Sequence, residues 1–442
     1  MSFPGFAAGP VAPTTYTLAV KPPLSAKLEP VSPKLVRTLV HPDRTAGVQS
    51  LRFTADGSRL FGAGYPSGVL QVWDVASGTE VRRIESPRGY RGSADYAELT
   101  ADWATVFVPV EKRAVKQEEK NGEKVVRVEQ SGEVRSWNLA DGTPRPPLKL
   151  DRSPLYAVPS PDGSKLLTLE RPSYTATRSG DRPADVIVFR DLAAGTAAEI
   201  GAGYGMFAFT PDGTRFVVAA SPHGDKPARM TVHDATTGKV TATLPVVFQK
   251  GSAYWPAVSR DGRRVVAEVR SADPDRKSVV QVWDTVTGAA TAELTPPKPD
   301  FVFYPRFSPD GRFVTGNGQG VAVVWPAAGG KPVLVAGYGD GVILRGAAVS
   351  PDGKTAAVAV MPQPDRSLGN EPDPDDLGQP WVDVYDLATG ARRERLVCPP
   401  GWVTSAAFRP GSSTLERFAV GCSVVPGVPE VVPALVGGEG VE

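Results

Sequence analysis

The sequence is poor in the residues that carry most enzyme chemistry. It has three histidines, His41, His223 and His233, and two cysteines, Cys398 and Cys422. The histidines are widely dispersed, and none has the spacing of a zinc or iron ligand set. Two cysteines are too few for a disulfide framework. We expect two unpaired core thiols, with a pairing of Cys398 and Cys422 as the alternative.

Neither sign of charge is in excess, and no apolar run is long enough to cross a bilayer. The chain has 49 basic and 48 acidic residues, so no overall charge favours nucleic acid or an anionic membrane as a partner. The sequence does not show the basic start and apolar core that are typical of a secretory signal. The cytoplasm is therefore the expected compartment.

Motifs of nucleophilic catalysis and phosphate binding are also missing. The sequence contains no Gly-x-Ser-x-Gly motif, and the glycine-rich segment from Gly316 to Gly320 lies between apolar strands with no helix after it. The acidic segment from Glu371 to Asp376 lacks the glycine of an EF-hand loop. We expect no enzyme activity, no metal and no cofactor.

Glycine and proline are abundant, with 46 and 44 copies, and many of them lie in the turns of a repeated unit. A turn of the type Ser/Thr-x-Asp-Gly recurs along the chain, and successive turn aspartates lie about 42 to about 60 residues apart, which suits four-stranded propeller blades. We count eight copies, at Thr54–Gly57, Thr100–Trp103, Ser160–Gly163, Thr210–Gly213, Ser259–Gly262, Ser308–Gly311, Ser350–Gly353 and, degraded, Phe408–Gly411.

Each residue of this first turn has a mechanical reason. Proline presets φ at the first central position, Asp bonds the local backbone, and Gly accepts the positive φ that lets two strands leave antiparallel. The turn aspartates are therefore interpreted as scaffold.

A second turn closes each unit, and an aromatic residue or histidine usually precedes it. In the unit from Ala257 to Gly288, Val-rich runs flank both turns and read as strands of an antiparallel meander. The second turns are Asp74–Gly78, Asn138–Gly142, Asp191–Gly195, Asp234–Gly238, Asp284–Gly288, Asp386–Gly390 and a looser Pro326–Gly330.

These units resemble the WD-repeat β-propeller family over roughly Leu35 to the C-terminus. Trp73-Asp74 and Trp283-Asp284 are the family dipeptide, and Trp137-Asn138 is a near match. The Gly-His pair that typically opens a WD repeat is absent, so the family's buried hydrogen-bond network is not expected and bacterial WD-like propellers are more similar. His233, which occupies a Trp position, is interpreted as structural.

The sequence thus predicts an all-β fold with a single β-propeller of eight four-stranded blades. Seven blades are the alternative if the unit around Asp102 or the degraded final unit is not a separate blade. The strand Leu35–Val40 is expected to complete the last blade, because ring closure removes exposed sheet edges. The predicted divisions are a Pro-rich flexible leader at 1–33, the propeller at 34–436 and a tail at 437–442.

The distribution of insertions suggests which face binds a partner. In the predicted topology both turns share one face, whereas the second-to-third strand loops share the other. Insertions occur in these loops, at Glu111–Gly132, Arg171–Ala184, Ser221–Ala228, Ser271–Lys277 and Pro362–Pro380. The largest, Glu111–Gly132, contains the dipeptide Asn121-Gly122, which suggests a hairpin. Loops on a rigid scaffold often carry function.

Aromatic residues near the start of the inner strands support the same choice. They either pack between blades or serve as contacts at the mouth of the axial channel. Our candidate partner-binding residues are Tyr90, Tyr204, Trp255, Tyr304, Tyr338, Trp402, Asp373, Asp375 and Asp376.

Two function classes follow. The preferred one is a monomeric, non-catalytic scaffold that binds a protein or peptide on the insertion-bearing face. The alternative is a lactonase- or hydrolase-type propeller enzyme with a metal in its channel. Small apolar inner strands such as Ala347–Val349 and Ala406–Phe408 argue against the enzyme.

Overall fold

The computed structural model describes residues 34–38, 47–65, 68–85, 91–92, 97–120, 123–176, 183–203, 205–220, 229–246, 252–270, 278–297, 303–318, 320–339, 341–362, 380–397, 402–408, 418–423 and 434–437. Within these ranges the regular structure is β-strand, as the Val-rich runs between turn residues predict. No helix in this part of the chain is long and apolar enough to cross a membrane.

The described strands form eight antiparallel sheets. Strand β1 (Lys34–Thr38) belongs to the last of them. The first sheet contains β2 (Gly47–Phe53), β3 (Arg59–Tyr65), β4 (Val69–Asp74) and β5 (Glu80–Glu85). The second contains β6 (Arg91–Gly92), β7 (Glu98–Leu99), β8 (Thr105–Lys120), β9 (Glu123–Asn138) and β10 (Leu148–Leu150). The third contains β11 (Ser153–Pro159), β12 (Lys165–Arg171), β14 (Val186–Asp191) and β15 (Thr196–Ala202), whereas the intervening β13 (Tyr174–Ala176) pairs with β9.

The remaining sheets follow the same plan. The fourth contains β16 (Gly205–Phe209), β17 (Arg215–Ala220), β18 (Arg229–Asp234) and β19 (Val240–Leu244). The fifth contains β20 (Ser252–Val258), β21 (Arg264–Arg270), β22 (Val279–Asp284) and β23 (Ala290–Leu294). The sixth contains β24 (Phe303–Phe307), β25 (Phe313–Gly318), β26 (Val321–Pro326) and β27 (Leu334–Gly337). The seventh contains β28 (Val342–Val349), β29 (Thr355–Pro362), β30 (Trp381–Asp386) and β31 (Arg392–Val397). The eighth contains β32 (Trp402–Phe408), β33 (Phe418–Ser423) and β34 (Ala434–Gly437).

Strands pair in chain order within the sheets, apart from β13, which pairs with β9, and β1 at the chain's start. The unit around Asp102 forms a sheet of its own, the second. The eighth sheet has the order β1-β34-β33-β32, so its outermost strand comes from the beginning of the chain. Residue Leu35 lies opposite Val436 in this pairing. The inner strand of the first sheet, β2, also contacts β32 and β33.

The middle strands are buried on both faces, because each sheet packs against the next. Strand β22 is buried from Val279 to Trp283, whereas most of the outer strand β23 is exposed. One core cluster joins Val217 of the fourth sheet to Val265 of the fifth. A strand that is covered on both faces reads as a continuous apolar run, which explains the Val-rich composition.

Two tryptophans before second turns, Trp283 and Trp325, connect their sheets to the preceding ones. The Trp283 indole Nε1–H donates to the carbonyl of Pro245, just beyond the fourth sheet, at 2.8 Å. Trp325 reaches the carbonyl of Thr295 in the same way at 3.4 Å. Both side chains are fully buried. These bonds satisfy the indoles without the Gly-His network of typical WD repeats.

The first turns have the expected chemistry, shown here at Ser259. The Ser259 hydroxyl donates to Asp261 Oδ1 at 2.5 Å and accepts the backbone N–H of Arg264 at 3.0 Å. Asp261 accepts the N–H of Arg263, and Gly262 has φ +70°. The aspartate is occupied by the turn itself, which matches its interpretation as scaffold.

The largest insertion is an extended β-arm. Strands β8 and β9 stay paired up to Lys120 and Glu123, so only Asn121 and Gly122, outside the described residues, separate them. This pairing agrees with the hairpin suggested by the Asn-Gly dipeptide. Part of the next insertion adds to the arm, because Tyr174–Ala176 pairs with Val126–Val128.

Candidate functional site

The pairing directions define two faces of the sheet array. Because consecutive strands are antiparallel, both turns of each unit lie on one face, which we call the turn face. The second-to-third strand connections and the sheet-to-sheet connections lie on the opposite one, which we call the insertion face. The inner strands β20 and β24 start at the insertion face and run towards the turn face.

Both of these inner strands contain the same interruption near their start. The pairing register shifts between Tyr254 and Ala257 in β20 and between Phe303 and Arg306 in β24. Each interruption holds an aromatic residue followed by proline, which has no N–H to donate to the ladder. Two sibling units therefore build the same local irregularity from similar residues.

The aromatic residue at each interruption has a left-handed backbone. Trp255 has φ +49° and Tyr304 has φ +54°. For a bulky residue this conformation costs about 1–2 kcal/mol, and such strain persists where the surrounding structure enforces it. Strained aromatics near a mouth are a reason to look for a binding site there.

The two strained residues contact each other across adjacent sheets. Their ring centroids are 4.6 Å apart with planes inclined by 43°. Tyr304 remains 51% exposed, and Trp255 is half-buried. Together they form a single aromatic surface, the Trp255–Tyr304 pair, at the insertion-face end of the inner strands.

Buried charges hold Trp255 in place. Glu268 is fully buried and receives two hydrogen bonds from the Arg270 guanidinium, each 2.9 Å long. The Arg270 Cζ atom lies 5.6 Å from the centre of a Trp255 ring. A paired carboxylate fixes the guanidinium, and the guanidinium attracts the indole face. The aromatic surface is therefore preorganised.

The inner strands also carry arginines. Arg306 follows Tyr304 by two residues on β24, and Arg345 occupies the register shift of β28. Arg52 on β2 pairs with Glu98 on β7 at 2.6 Å. The carboxylate of Glu98 raises the pKa of Arg52.

The charges of Arg52 and Arg306 influence each other although their sheets are the first and the sixth. Arg306 is solvent-exposed. The surrounding protein and the positive charge of Arg52 lower the pKa of its guanidinium, whereas Glu98 and Tyr304 raise this pKa. Burial likewise lowers the pKa of Arg345, against a raising contribution from Tyr304.

The predicted partner-binding residues are placed differently. The structure brings together Trp255 and Tyr304. Tyr338 is half-buried and its hydroxyl lies 2.9 Å from that of Tyr385 in the next sheet, so it packs between sheets. Trp402 lies in β32, and its side chain is outside the described residues, as are Tyr90, Tyr204, Asp373, Asp375 and Asp376.

Sequence reasoning missed the charged residues of the mouth. Strand β16 is apolar but contains Met206 and two phenylalanines, and β2, β7, β24 and β28 carry Arg52, Glu98, Arg306 and Arg345. The expectation of small apolar inner strands is therefore wrong for these strands. A shared position in the repeat could have identified three of the charged residues. Arg52, Glu98 and Arg306 each lie two residues before the Ser or Thr of a first turn, where β16 and β20 have alanine.

Other candidate chemistry is accounted for by the fold. His233 is buried, stacks on Phe216 and lies within hydrogen-bond distance of Thr231 and of the Gly238 carbonyl. Burial lowers its pKa. Within the described ranges, no group of three His, Cys, Asp or Glu residues could hold a metal ion.

A cleft of about 660 Å³ lies on the turn face between the first and second sheets. It is lined by Asp56 and Asp102 among others, and both carboxylates are bonded within their own turns. Without free convergent groups this cleft is a weaker candidate than the axial mouth, despite its size.

Solved structures similar to this chain include β-propellers. The Dos1 propeller is 14% identical, with a TM-score of 0.58, and the match covers 92% of this chain and 96% of that one. The Cps50 (Swd1) β-propeller domain of Myceliophteria thermophila is 12% identical, with a TM-score of 0.48 over 89% of this chain and 100% of that one. Hydrazine synthase of Kuenenia stuttgartiensis is 14% identical, with a TM-score of 0.48 over 73% of this chain and 94% of that one.

The match to the Dos1 propeller shows the fold alone: the chain is an all-β protein with a β-propeller fold. No protein-family model matches the sequence, and no curated protein matches it.

Proposed function

We propose that this protein is a non-catalytic, WD-repeat-like interaction scaffold that binds a protein or peptide segment at the axial mouth of its insertion face. The observation that carries the proposal is the Trp255–Tyr304 pair. Two aromatics are kept in strained conformations, in mutual contact and open to solvent, on neighbouring inner strands. Exposed aromatics with a polar atom are typical anchors of protein interfaces.

The ring that creates this mouth is part of the proposal. We infer eight blades, one for each sheet, and closure by β1 as the outer strand of the eighth. The pairing of β1 with β34 supports this closure, as does the contact of β2 with β32 and β33. A closed ring leaves only the short outer edges of the blades exposed, which supports a monomer as the proposed form, and we propose the cytoplasm as its compartment.

Affinity capture from native lysate tests the binding site. Tagged wild type is compared with Trp255→Ala, Tyr304→Ala and a control, Val286→Ala, which removes an exposed apolar side chain from the turn face. Loss of an interface anchor typically costs at least about 2 kcal/mol, roughly a 30-fold weaker affinity. We expect both aromatic variants to lose the captured partner and the control to keep it.

Circular dichroism and thermal melting show whether the variants remain folded. Equal capture by wild type and by both folded aromatic variants would remove the axial mouth as the binding site.

A further inference from the structure

The inner strands carry an excess of positive charge although the whole chain is nearly neutral. Among the inner-strand residues whose side chains the structure describes, the basic ones are Arg52, Arg306 and Arg345, and the acidic one is Glu98. The excess is therefore concentrated around the axis. It is a local property that the net charge of +1 conceals.

The single carboxylate of these strands is already engaged. Glu98 pairs with Arg52 at 2.6 Å, and in the described part of the chain no acidic side chain forms an ion pair with Arg306. Arg306 is exposed on β24. Glu98 favours the Arg306 charge and Arg52 disfavours it, but the Glu98 carboxylate already pairs with Arg52. Among the described side chains of the inner strands, Arg52, Arg306 and Arg345 thus share one carboxylate, and a further carboxylate would complement the remaining positive charge.

We propose that the axial mouth selects an acidic peptide, with Asp or Glu carboxylates bound by Arg306 and Arg345 and an adjacent side chain resting on the Trp255–Tyr304 pair. This inference rests on the proposed function and adds the chemistry of its ligand. Guanidinium groups suit carboxylates because they donate two parallel hydrogen bonds. The aromatic surface adds apolar contact area that does not depend on charge.

Single-stranded nucleic acid also combines stacking with arginine contacts. It needs a basic groove that follows several phosphates, however, and here Glu98 lies at the same mouth while the chain as a whole has balanced charge. A short acidic peptide requires only the few arginines of the mouth. The structure therefore favours a peptide.

Fluorescence anisotropy of labelled probes tests the selectivity. The probes are a fluorescein-labelled peptide of Glu and Gly with a central Phe, the same peptide with Gln or Lys in place of Glu, and labelled oligothymidylate. We expect the Glu peptide to bind at least about ten-fold more tightly than the Gln peptide, and its affinity to fall with added salt, because about 1.4 kcal/mol corresponds to ten-fold.

Variants assign the effect to the mouth. Arg306→Gln and Arg345→Gln are each expected to weaken binding of the Glu peptide about ten-fold, whereas Arg113→Gln, on the exposed β-arm, leaves it unchanged. Equal binding of the Glu and Gln peptides, or no effect of Arg306→Gln, would overturn the inference. Tighter, Arg306-dependent binding of oligothymidylate would overturn it in favour of nucleic acid.

The two proposals fail in different ways. If no probe binds while Trp255→Ala still abolishes partner capture, acid selectivity is wrong and the scaffold function stands. If partner capture is also insensitive to Trp255→Ala and Tyr304→Ala, both proposals are wrong.

Discussion

Trp103 occupies a turn position that glycine holds in the sibling turns. Its φ is +60°, close to the +70° of Gly262, and its ring contacts Phe61 edge-on with centroids 6.3 Å apart. The residue thus combines backbone strain with core packing between the first and second sheets. A degraded turn motif can therefore still form the regular turn.

Substitutions at Trp103 separate strain from packing. Trp103→Ala loses the packing and keeps the strain, whereas Trp103→Gly loses the packing and relieves the strain. We expect the alanine variant to be less stable than the glycine variant by about 1 kcal/mol in urea unfolding. An alanine variant at least as stable as the glycine variant would contradict the strain at this position.

The turn aspartates make the free energy of unfolding depend on pH in the acid range. The Ser259 hydroxyl is the main cause that lowers the pKa of Asp261 below its ordinary 3.8, and bonds from Thr54 and Ser58 lower that of Asp56 to about 2. A lowered folded-state pKa contributes stability above the unfolded pKa, and this contribution disappears as the pH falls through the folded pKa. The free energy of unfolding should therefore fall between pH 3.8 and about 2.

Ser259→Ala checks the origin of this acid sensitivity. Near neutral pH we expect it to lower the free energy of unfolding by about 1 kcal/mol, the usual value of one hydrogen bond. Because the Asp261 pKa then moves back towards 3.8, the difference from wild type should shrink on acidification. Unfolding free energies that stay parallel down to about pH 2 would exclude this explanation.

At the scale of elements, the strands could be predicted because the residues that determine them are neighbours in the sequence. Turn residues and Val-rich runs predicted the strands of the fifth sheet around Ser259 and Gly288, and Asn121-Gly122 suggested the hairpin of the β-arm. The pairing of Tyr174–Ala176 with that arm could not be predicted from the sequence. It depends on which insertions lie next to each other in the fold, and the sequence has no periodic pattern that indicates this.

The candidate site could be predicted in part, for the same reason. The sequence indicated Trp255 and Tyr304 as aromatic residues at equivalent positions of two units. Their contact depends on the packing of neighbouring sheets. Charges that are dispersed along the sequence, such as Arg52 and Glu98, form an ion pair only when their sheets lie side by side.

A substitution at Gly320 tests how closely the connection between β25 and β26 is packed. Gly320 has φ +63°, and a Cβ there would lie 1.8 Å from the Gly339 carbonyl oxygen. We expect Gly320→Ala to lower the free energy of unfolding by at least about 2 kcal/mol. Gly337→Ala is the matched control because nothing lies near its added Cβ, and it should stay within about 0.5 kcal/mol of wild type.

At the scale of the whole molecule, deletions test the role of β1. Removing residues 1–33 leaves β1 intact, and we expect no loss of stability. Removing residues 1–38 also deletes all five residues of β1 and exposes the edge of β34. Several ladder hydrogen bonds at about 1 kcal/mol each disappear, so we expect a loss of roughly 3 kcal/mol or more and a tendency to aggregate. Equal melting temperatures for the two deletions would argue against a structural role for β1.

A cross-link measures closure of the ring most directly. In a variant with Cys398 and Cys422 replaced by serine, cysteines are introduced at Leu35 and Val436, which lie opposite each other in β1 and β34. Facing residues of antiparallel strands have Cβ atoms about 4.5–5.5 Å apart, within reach of a disulfide after small adjustment. The control pairs Leu35 with Ala434, which is out of register.

After mild oxidation of the folded monomer, we expect an intramolecular disulfide for Leu35 with Val436 and none for the control, read by mass spectrometry and electrophoretic mobility. The link should also raise the melting temperature, because it constrains nearly the whole unfolded chain. A folded monomer in which Leu35→Cys and Val436→Cys stay reduced, or join only between molecules, would contradict the closed ring on which the axial site depends.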